Sequence, residues 1–395
     1  MPISIAFIIG IVWAIIFSKG SFSERIDTFS KGAANSNILF MLWIFILAGA
    51  FASVAKEIGA IDATVNVTLK YLPGGLIVPG MFFASCLISM AIGTSVGTIT
   101  ALVPLAFEMA VGSDGSVAYY IAAVLSGSFF GDNLSFISDT TIASTRTQDC
   151  KMNDKFKTNV WIAVPAAIIV LAIYLTIGIS TLSNVVKTQD INEFFILPYI
   201  LVIGIAICGV NVILVLTIGI FSSLIIGLIN GTSFIQLCSA MGSGIEGMGT
   251  LIIVTLLAAG LLALINHNGG IKYIIKVMTN RISNPKVAYF TIGGLVAFIN
   301  LCTANNTVAI ITVGELTKKI SNKFHLDNKK VASILDTCSC IVQCIIPYGA
   351  QMLLATSLAG VSPVSLFPYL YYPLTLLGMV VFSILFNYPK FKTSK

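Results

Sequence analysis

Two carboxylates, an amide and four hydroxyls lie together in Gly131-Asp132-Asn133-Leu134-Ser135-Phe136-Ile137-Ser138-Asp139-Thr140-Thr141. The flanks are apolar: Ala118 to Phe130 reads as helix at membrane depth, and another long apolar run opens at Val160. A charged group at that depth costs ~2.5 kcal/mol or more on insertion, so acids kept there are usually functional. An ionised carboxylate inside a membrane needs a proton or a cation beside it. A group that holds either one exchanges them. Asp132 and Asp139 would share a helix face, or stand at opposite edges of an unwound segment. Asn133, Ser135, Ser138 and Thr140 offer neutral oxygens, which suit a hard cation such as Na⁺. The plainer alternative is that these side chains cap a half-helix.

A second polar run, Asp336 to Gln351, follows later in the chain, with Thr337, Gln343 and Gln351 as further candidates. Two shorter interruptions break otherwise apolar segments: Gly93-Thr94-Ser95-Val96-Gly97-Thr98 and Thr303-Ala304-Asn305-Asn306-Thr307. They place Thr94, Ser95 and Thr98, and Asn305, Asn306 and Thr307, at the tips of two hairpins. For any one hydroxyl, helix packing or back-bonding to the helix is an ordinary role. The coincidence of hydroxyls and amides at matching breaks is what points to a site.

These residues must be held by membrane helices. The chain has 395 residues, 57% hydrophobic and 10% charged, with a mean hydropathy of +0.97. A soluble domain of this size would present an apolar surface to water, whereas several runs approach the ~20 residues that cross a bilayer. The fold class is therefore an all-α polytopic membrane protein whose first partner is the lipid bilayer. The +6 net charge is scattered over loops and reads as a topology signal rather than nucleic-acid binding. The eight cysteines lie in or beside apolar segments, as small packing residues do. No resident cofactor is implied; Na⁺ and H⁺ would be cargo.

Plain crossings are expected at Ile3 to Phe17, Asn37 to Val54, Trp161 to Ile179, Phe195 to Gly209, Asn211 to Ile229, Thr250 to Ile265 and Phe367 to Phe386. Gly75 to Val111, Val117 to Ser144, Val287 to Leu316 and Val331 to Leu358 are interrupted by Gly, Asn, Thr or Pro, which marks broken helices and re-entrant hairpins. The halves parallel each other at an offset of about 210. Lys19-Gly20-Ser21-Phe22 answers Asn230-Gly231-Thr232-Ser233-Phe234, and Leu47-Ala48-Gly49-Ala50 answers Ala258-Ala259-Gly260-Leu261. This divides the chain into repeats at 1–185 and 186–395. Basic loops face loops without bases across the pairing, so the positive-inside rule makes the repeats inverted. Loops 19–31, 146–157, 272–286 and 318–330 and the Lys390-Lys392-Lys395 tail then fall in the cytoplasm, with the C-terminus. The helix Phe195 to Gly209 has no partner in the first half, which is expected to lack its first helix.

At the polar stretches this sequence resembles the NhaC family of Na⁺/H⁺ antiporters. The likeness rests on Gly131 to Thr141, on Gly93 to Thr98 and on Asp336 to Gln351 with Ile346-Pro347-Tyr348, and it spans about Leu47 to Gly360. Phe136 stands where many members have Pro. The resemblance implies a secondary transporter of the ion-transporter superfamily, multi-pass in the cytoplasmic membrane of a prokaryote, with Na⁺ held at Asp132, Asn133 and Asp139. A homodimer is implied at family level alone. The family also includes exchangers of organic acids and amino acids, so two transport readings follow: Na⁺/H⁺ antiport by alternating access, or Na⁺- or H⁺-coupled movement of a small organic acid or amino acid. Enzymatic chemistry is not expected: the Gly-x-Gly-Asp pattern of an intramembrane aspartyl protease fails at Phe129. Nothing resembles a channel filter built from rings of carbonyls.

Overall fold

The computed structural model describes residues 3–60, 63–64, 74–135, 138–180, 193–208, 210–270, 273, 276 and 282–389. Phe136, part of the loop 272–286 and the terminal lysines Lys390, Lys392 and Lys395 lie outside the described residues. All regular structure among the described residues is helical. Among the described residues, eight helices are long and apolar enough to cross a membrane, or up to nine if a bent pair is one span.

Helices occupy the expected crossings as α1 (Ile3–Phe17), α3 (Ser36–Glu57), α8 (Met152–Ser180), α9 (Leu197–Ile207), α10 (Val212–Ile229), α12 (Gly249–His267) and α18 (Tyr371–Phe386), of which α1 and α9 are shorter than a full span and α18 reaches span length only with the bent segment before it. The interrupted segments split where their polar residues fall. The first gives α4 (Ile77–Ile92) and α5 (Ser95–Gly112), and the third gives α13 (Pro285–Thr303) and α14 (Asn306–Lys323). The second gives α6 (Val117–Leu134) and α7 (Asp139–Thr147), and the fourth gives α15 (Asn328–Ile345) and α16 (Ala350–Ala359). A short α17 (Pro363–Leu366) leads towards α18. Two helices occupy stretches expected to be loops: α2 (Phe22–Ala33) and α11 (Phe234–Gly247). Each opens on a capping box, Ser21 with Glu24 and Ser233 with Gln236, which satisfies the free N–H groups of the first turn.

Local chemistry explains the breaks. Gly93 ends α4 in the left-handed conformation, φ 76°, which glycine adopts without steric cost. Ala304 ends α13 in the same region at φ 48°, where a β-carbon costs about 1–2 kcal/mol. The α15 break follows from Pro347: Ile346 before it is extended, at ψ 117°, as the proline ring requires of its predecessor. Serine restarts α7, with the Ser138 hydroxyl accepting from the Thr141 N–H.

Several features of the first half recur in the second at a fixed interval. Left-handed residues recur 211 positions apart as Gly20 and Gly231, Gly93 and Ala304, Asp114 and His325, and Asp149 and Gly360. Packing is reciprocal at the same interval. Helix α2 lies on α12 while its counterpart α11 lies on α3, and α5 meets α16 as α14 meets α7. Within each half the first hairpin arm packs along the broken helix, α4 on α6 and α13 on α15. Small residues permit this closeness. A β-carbon on Gly131 would stand 2.2 Å from the Ser89 carbonyl carbon in α4. Gly131→Ala must therefore push the hairpin arm away from α6. Overpacking of this kind costs about 1–3 kcal/mol. Thermal unfolding of the purified variant in detergent should show that loss, together with slower transport, because the displaced arm leads directly into the hairpin tip where Ser95 opens α5.

Candidate functional site

Asp132 lies in the last turn of α6 and is 5% exposed. Its carboxylate faces the first hairpin tip. The Ser95 N–H donates to Oδ1 at 2.8 Å and the Ser95 hydroxyl to Oδ2 at 2.5 Å. Because Ser95 is the first residue of α5, its N–H is one of the helix-start donors left free. From there a chain of amides crosses the molecule. Gln351 Nε2 donates to Ser95 Oγ at 3.3 Å, and Gln343 Nε2 donates to Gln351 Oε1 at 2.8 Å. Gln343 Nε2 also donates at 2.9 Å to the carbonyl of Ala304, the left-handed residue of the second hairpin tip. One hydrogen-bonded line thus joins both hairpin tips and both broken helices. Gln343 Oε1 is buried without a hydrogen-bond partner, as is the Thr337 hydroxyl. A cation uses oxygens of that kind.

No basic group among the described residues forms an ion pair with Asp132, whereas Asp336 has one. Its Oδ2 lies 2.5 Å from Lys155 Nζ, with exposures of 0% and 1%. The ammonium is held by three oxygens in all, since it also donates to the Asn133 carbonyl at 2.6 Å and to Thr141 Oγ1 at 2.7 Å. Asn159, one turn further along α8, donates to Asn133 Oδ1 at 2.6 Å and to Asp336 Oδ2 at 3.1 Å. Its side-chain Oδ1 accepts from the Ser333 hydroxyl.

The remaining candidates divide by role. Helix α6 leaves carbonyls free where it stops, and hydroxyls take them up. Ser138 Oγ donates to the Asp132 carbonyl at 2.8 Å and Thr140 Oγ1 to the same oxygen at 3.2 Å, while Thr141 Oγ1 reaches the Ser135 carbonyl at 2.9 Å. Ser135 is buried in the break itself. Thr98 back-bonds to the Thr94 carbonyl at 3.3 Å, and Thr94 makes no side-chain cap. Asn305 caps α14 by accepting from the Val308 N–H at 3.0 Å, and Asn306 Oδ1 accepts from the Thr307 N–H at 3.0 Å. Asp139 opens α7 and is exposed. The site is therefore gathered around Asp132, Ser95, Gln343 and Gln351, with Asn133 turned towards Asn159 and Asp336.

Lys155 falls in a stretch, 146–157, that the sequence predicts to be a topology-setting cytoplasmic loop. It is instead buried on α8, and Asn159 beside it went unnoticed. Their four-residue spacing, which puts both on one helix face just before an apolar run, was the available signal.

A family model described as the Na⁺/H⁺ antiporter family matches residues 2–179 and 184–389. The chain belongs to the Na⁺/H⁺ antiporter family. Among its relatives, the arginine/ornithine antiporter ArcD of Halobacterium salinarum is 23% identical, the alignment covering 91% of this chain and 82% of that protein. The Na⁺/H⁺ antiporter NhaC of Bacillus subtilis is 22% identical over 88% of this chain and 83% of its own length. The malate-2H⁺/Na⁺-lactate antiporter of the same organism is 20% identical over 96% and 88%. The family is one of antiporters, which is not an enzyme class. The buried carboxylate at a helix break is the feature of this chain that suits such work.

Proposed function

We propose that this protein exchanges Na⁺ for H⁺ across the cytoplasmic membrane by alternating access, with Asp132 as the group that holds each in turn. The observation that carries the reading is the environment of Asp132: a buried carboxylate at a helix break, hydrogen-bonded to a hairpin tip and lacking a basic partner among the described residues. With Na⁺ bound, the carboxylate is ionised and Ser95 Oγ and Gln343 Oε1 stand ready as neutral ligands. With a proton bound, the carboxyl is neutral and needs no cation. The bare anion is the form the site penalises, since an unpaired charge in an apolar interior costs several kcal/mol. Return of an unloaded carrier is disfavoured, and that couples the two ions.

The reading includes two inverted repeats, supported by the recurrence at 211 residues and the reciprocal helix packing. With the basic loops facing the cytoplasm, the C-terminus lies on the same side. Exposed Asp139 sits at the edge of the break, where an acid draws cations towards the site.

The test uses purified protein in liposomes carrying an internal pH indicator. A Na⁺ gradient alone, with no organic solute, should drive proton movement in the opposite direction. A specific observation also favours a second reading, coupled exchange of a small organic solute. A cavity of about 170 Å³ adjoins the second hairpin tip, lined by Asn35, Asn266, Thr303, Asn305 and Tyr348 with apolar neighbours and no charged residue. Two relatives carry names of amino-acid and organic-acid antiporters. Uptake of a labelled organic acid or amino acid, with no proton movement driven by Na⁺ alone, would establish that reading in place of the first.

A further inference from the structure

A carrier that works by alternating access closes one face of its site while the other is open, and inverted repeats make the two faces comparable position by position. Helices α1, α2, α3, α10, α11 and α12 form one group: α2 and α1 pack on α12, and α11 and α10 pack on α3. The hairpins, the broken helices, α8 and α18 form another, with α4 on α6, α13 on α15, α16 on α5 and α8 on α18. Helix α9 packs against both groups. Asp132, Ser95, Gln343 and Gln351 all belong to the second group, so the first is the frame against which the site can move.

Positions 211 apart differ where the groups meet. Ala259, Leu262 and Asn266 form one stripe of α12 along the cavity beside the second hairpin tip; the first two are half-buried and Asn266 is exposed. Their counterparts on α3, Ala48, Phe51 and Ala55, are each 0% exposed. The contacts differ to match. Helix α3 packs on α5, the second arm of its hairpin, whereas α12 packs on α13, the first arm of the other. One face is sealed and the other is open.

An ion pair ties the sealed face. Lys56 Nζ, near the end of α3, lies 2.8 Å from Glu108 Oε1 on α5 and 5.8 Å from the centre of the Phe107 ring. This pair runs from the frame to the moving group, while Lys318–Asp149 and Lys329–Asp154 both stay inside the moving group. The positions 211 later are His267 and Lys319, both exposed. Neither is an acid, so those two residues form no equivalent pair when their face closes.

We propose that Lys56–Glu108 is a one-sided latch, which holds α3 against α5 and biases the resting carrier towards the state open at the second hairpin tip. The inference rests on the alternating-access and inverted-repeat reading above. In the opposite state α12 closes on its own hairpin and α3 parts from α5, which separates Lys56 from Glu108. A partly exposed pair of this kind shifts a two-state equilibrium by about two- to five-fold. Like charges at the same contact push it further the same way.

The test compares two matched thiols, Ala48→Cys and Ala259→Cys, each introduced separately into the full chain. The purified proteins react with N-ethylmaleimide in detergent, and peptide mass spectrometry follows each position so that the native cysteines stay in place. The Ala48 position is buried in the latched state, so its rate follows the population in which α3 has parted from α5. Ala259→Cys should react faster than Ala48→Cys. Adding Glu108→Gln should speed the reaction at position 48 about two- to five-fold, and Glu108→Lys should speed it more. Exchanging the charges, Lys56→Glu with Glu108→Lys, should restore the slow rate. A rate at position 48 that Glu108→Lys leaves unmoved, or that the charge exchange fails to restore, overturns the latch. So does a parallel rise at position 259, which marks general loosening of the fold. The labelling uses no ion gradient, so failure of the latch and failure of Na⁺/H⁺ exchange are separate results.

Discussion

Replacing Asp132 by asparagine should reduce Na⁺-driven proton movement to the rate of protein-free liposomes, while the purified variant should melt within a few degrees of the wild type. The two halves of this expectation have separate causes. Asparagine neither takes up a proton nor balances a Na⁺ charge, so neither loaded form of the carrier exists. The fold is spared because the amide keeps the hydrogen bonds. Its Oδ1 can accept from the Ser95 N–H, now 2.8 Å from the carboxylate, and its Nδ2 can donate to the Ser95 hydroxyl. Removing an unmatched buried charge also relieves a desolvation cost, which offsets the weaker hydrogen bonds. The measurement pairs an internal pH indicator with thermal unfolding in detergent on the same preparation. Wild-type exchange in Asp132→Asn would take Asp132 out of the mechanism. A large fall in melting temperature would instead assign the carboxylate a structural role.

How far this site could be read from the sequence depends on which interactions are local. The breaks are local. Gly93 and Ala304 stop helices by left-handed backbone and Pro347 by the extended residue it imposes before it, while Asn305 restarts α14 with its side chain, and all lie where the apolar pattern is interrupted. The proposal of a repeat comes from glycines and polar breaks that return in order, and left-handed residues recur at an interval of 211. Helices α2 and α11 were read as loops because they are short and carry polar faces. Their capping boxes were nevertheless present as Ser-x-x-Glu and Ser-x-x-Gln. The partner of Asp336 was not legible at all. Lys155 is distant in the chain and sits in a run of loop lysines, and only tertiary packing of α8 against α15 decides that it is buried. Likewise, the hydroxyls of Ser138 and Thr140 looked like cation ligands by type, yet they satisfy a carbonyl that exists only because α6 ends at Leu134.

Lys155→Met should destabilise the protein by about 3–5 kcal/mol, the usual result of leaving one member of a buried ion pair without its partner. The loss is large because the ammonium also holds the Asn133 carbonyl and Thr141 Oγ1 across the broken helix. Methionine fills a similar volume, which separates lost charge from lost packing. Asp336→Leu should cost a comparable amount, since it strands the ammonium instead. Together they should not add. The double variant Lys155→Met/Asp336→Leu removes both charges at once, and buried pairs replaced in this way are often neutral or more stable. Its melting temperature should therefore lie well above that of either single variant, giving a coupling energy of at least ~2 kcal/mol in the double-mutant cycle. An exposed, hydrated pair would behave differently, with single losses of about 1 kcal/mol or less and near-additive effects. Additivity in this cycle would mean that water reaches the pair and that Lys155 and Asp336 do not depend on each other for their burial.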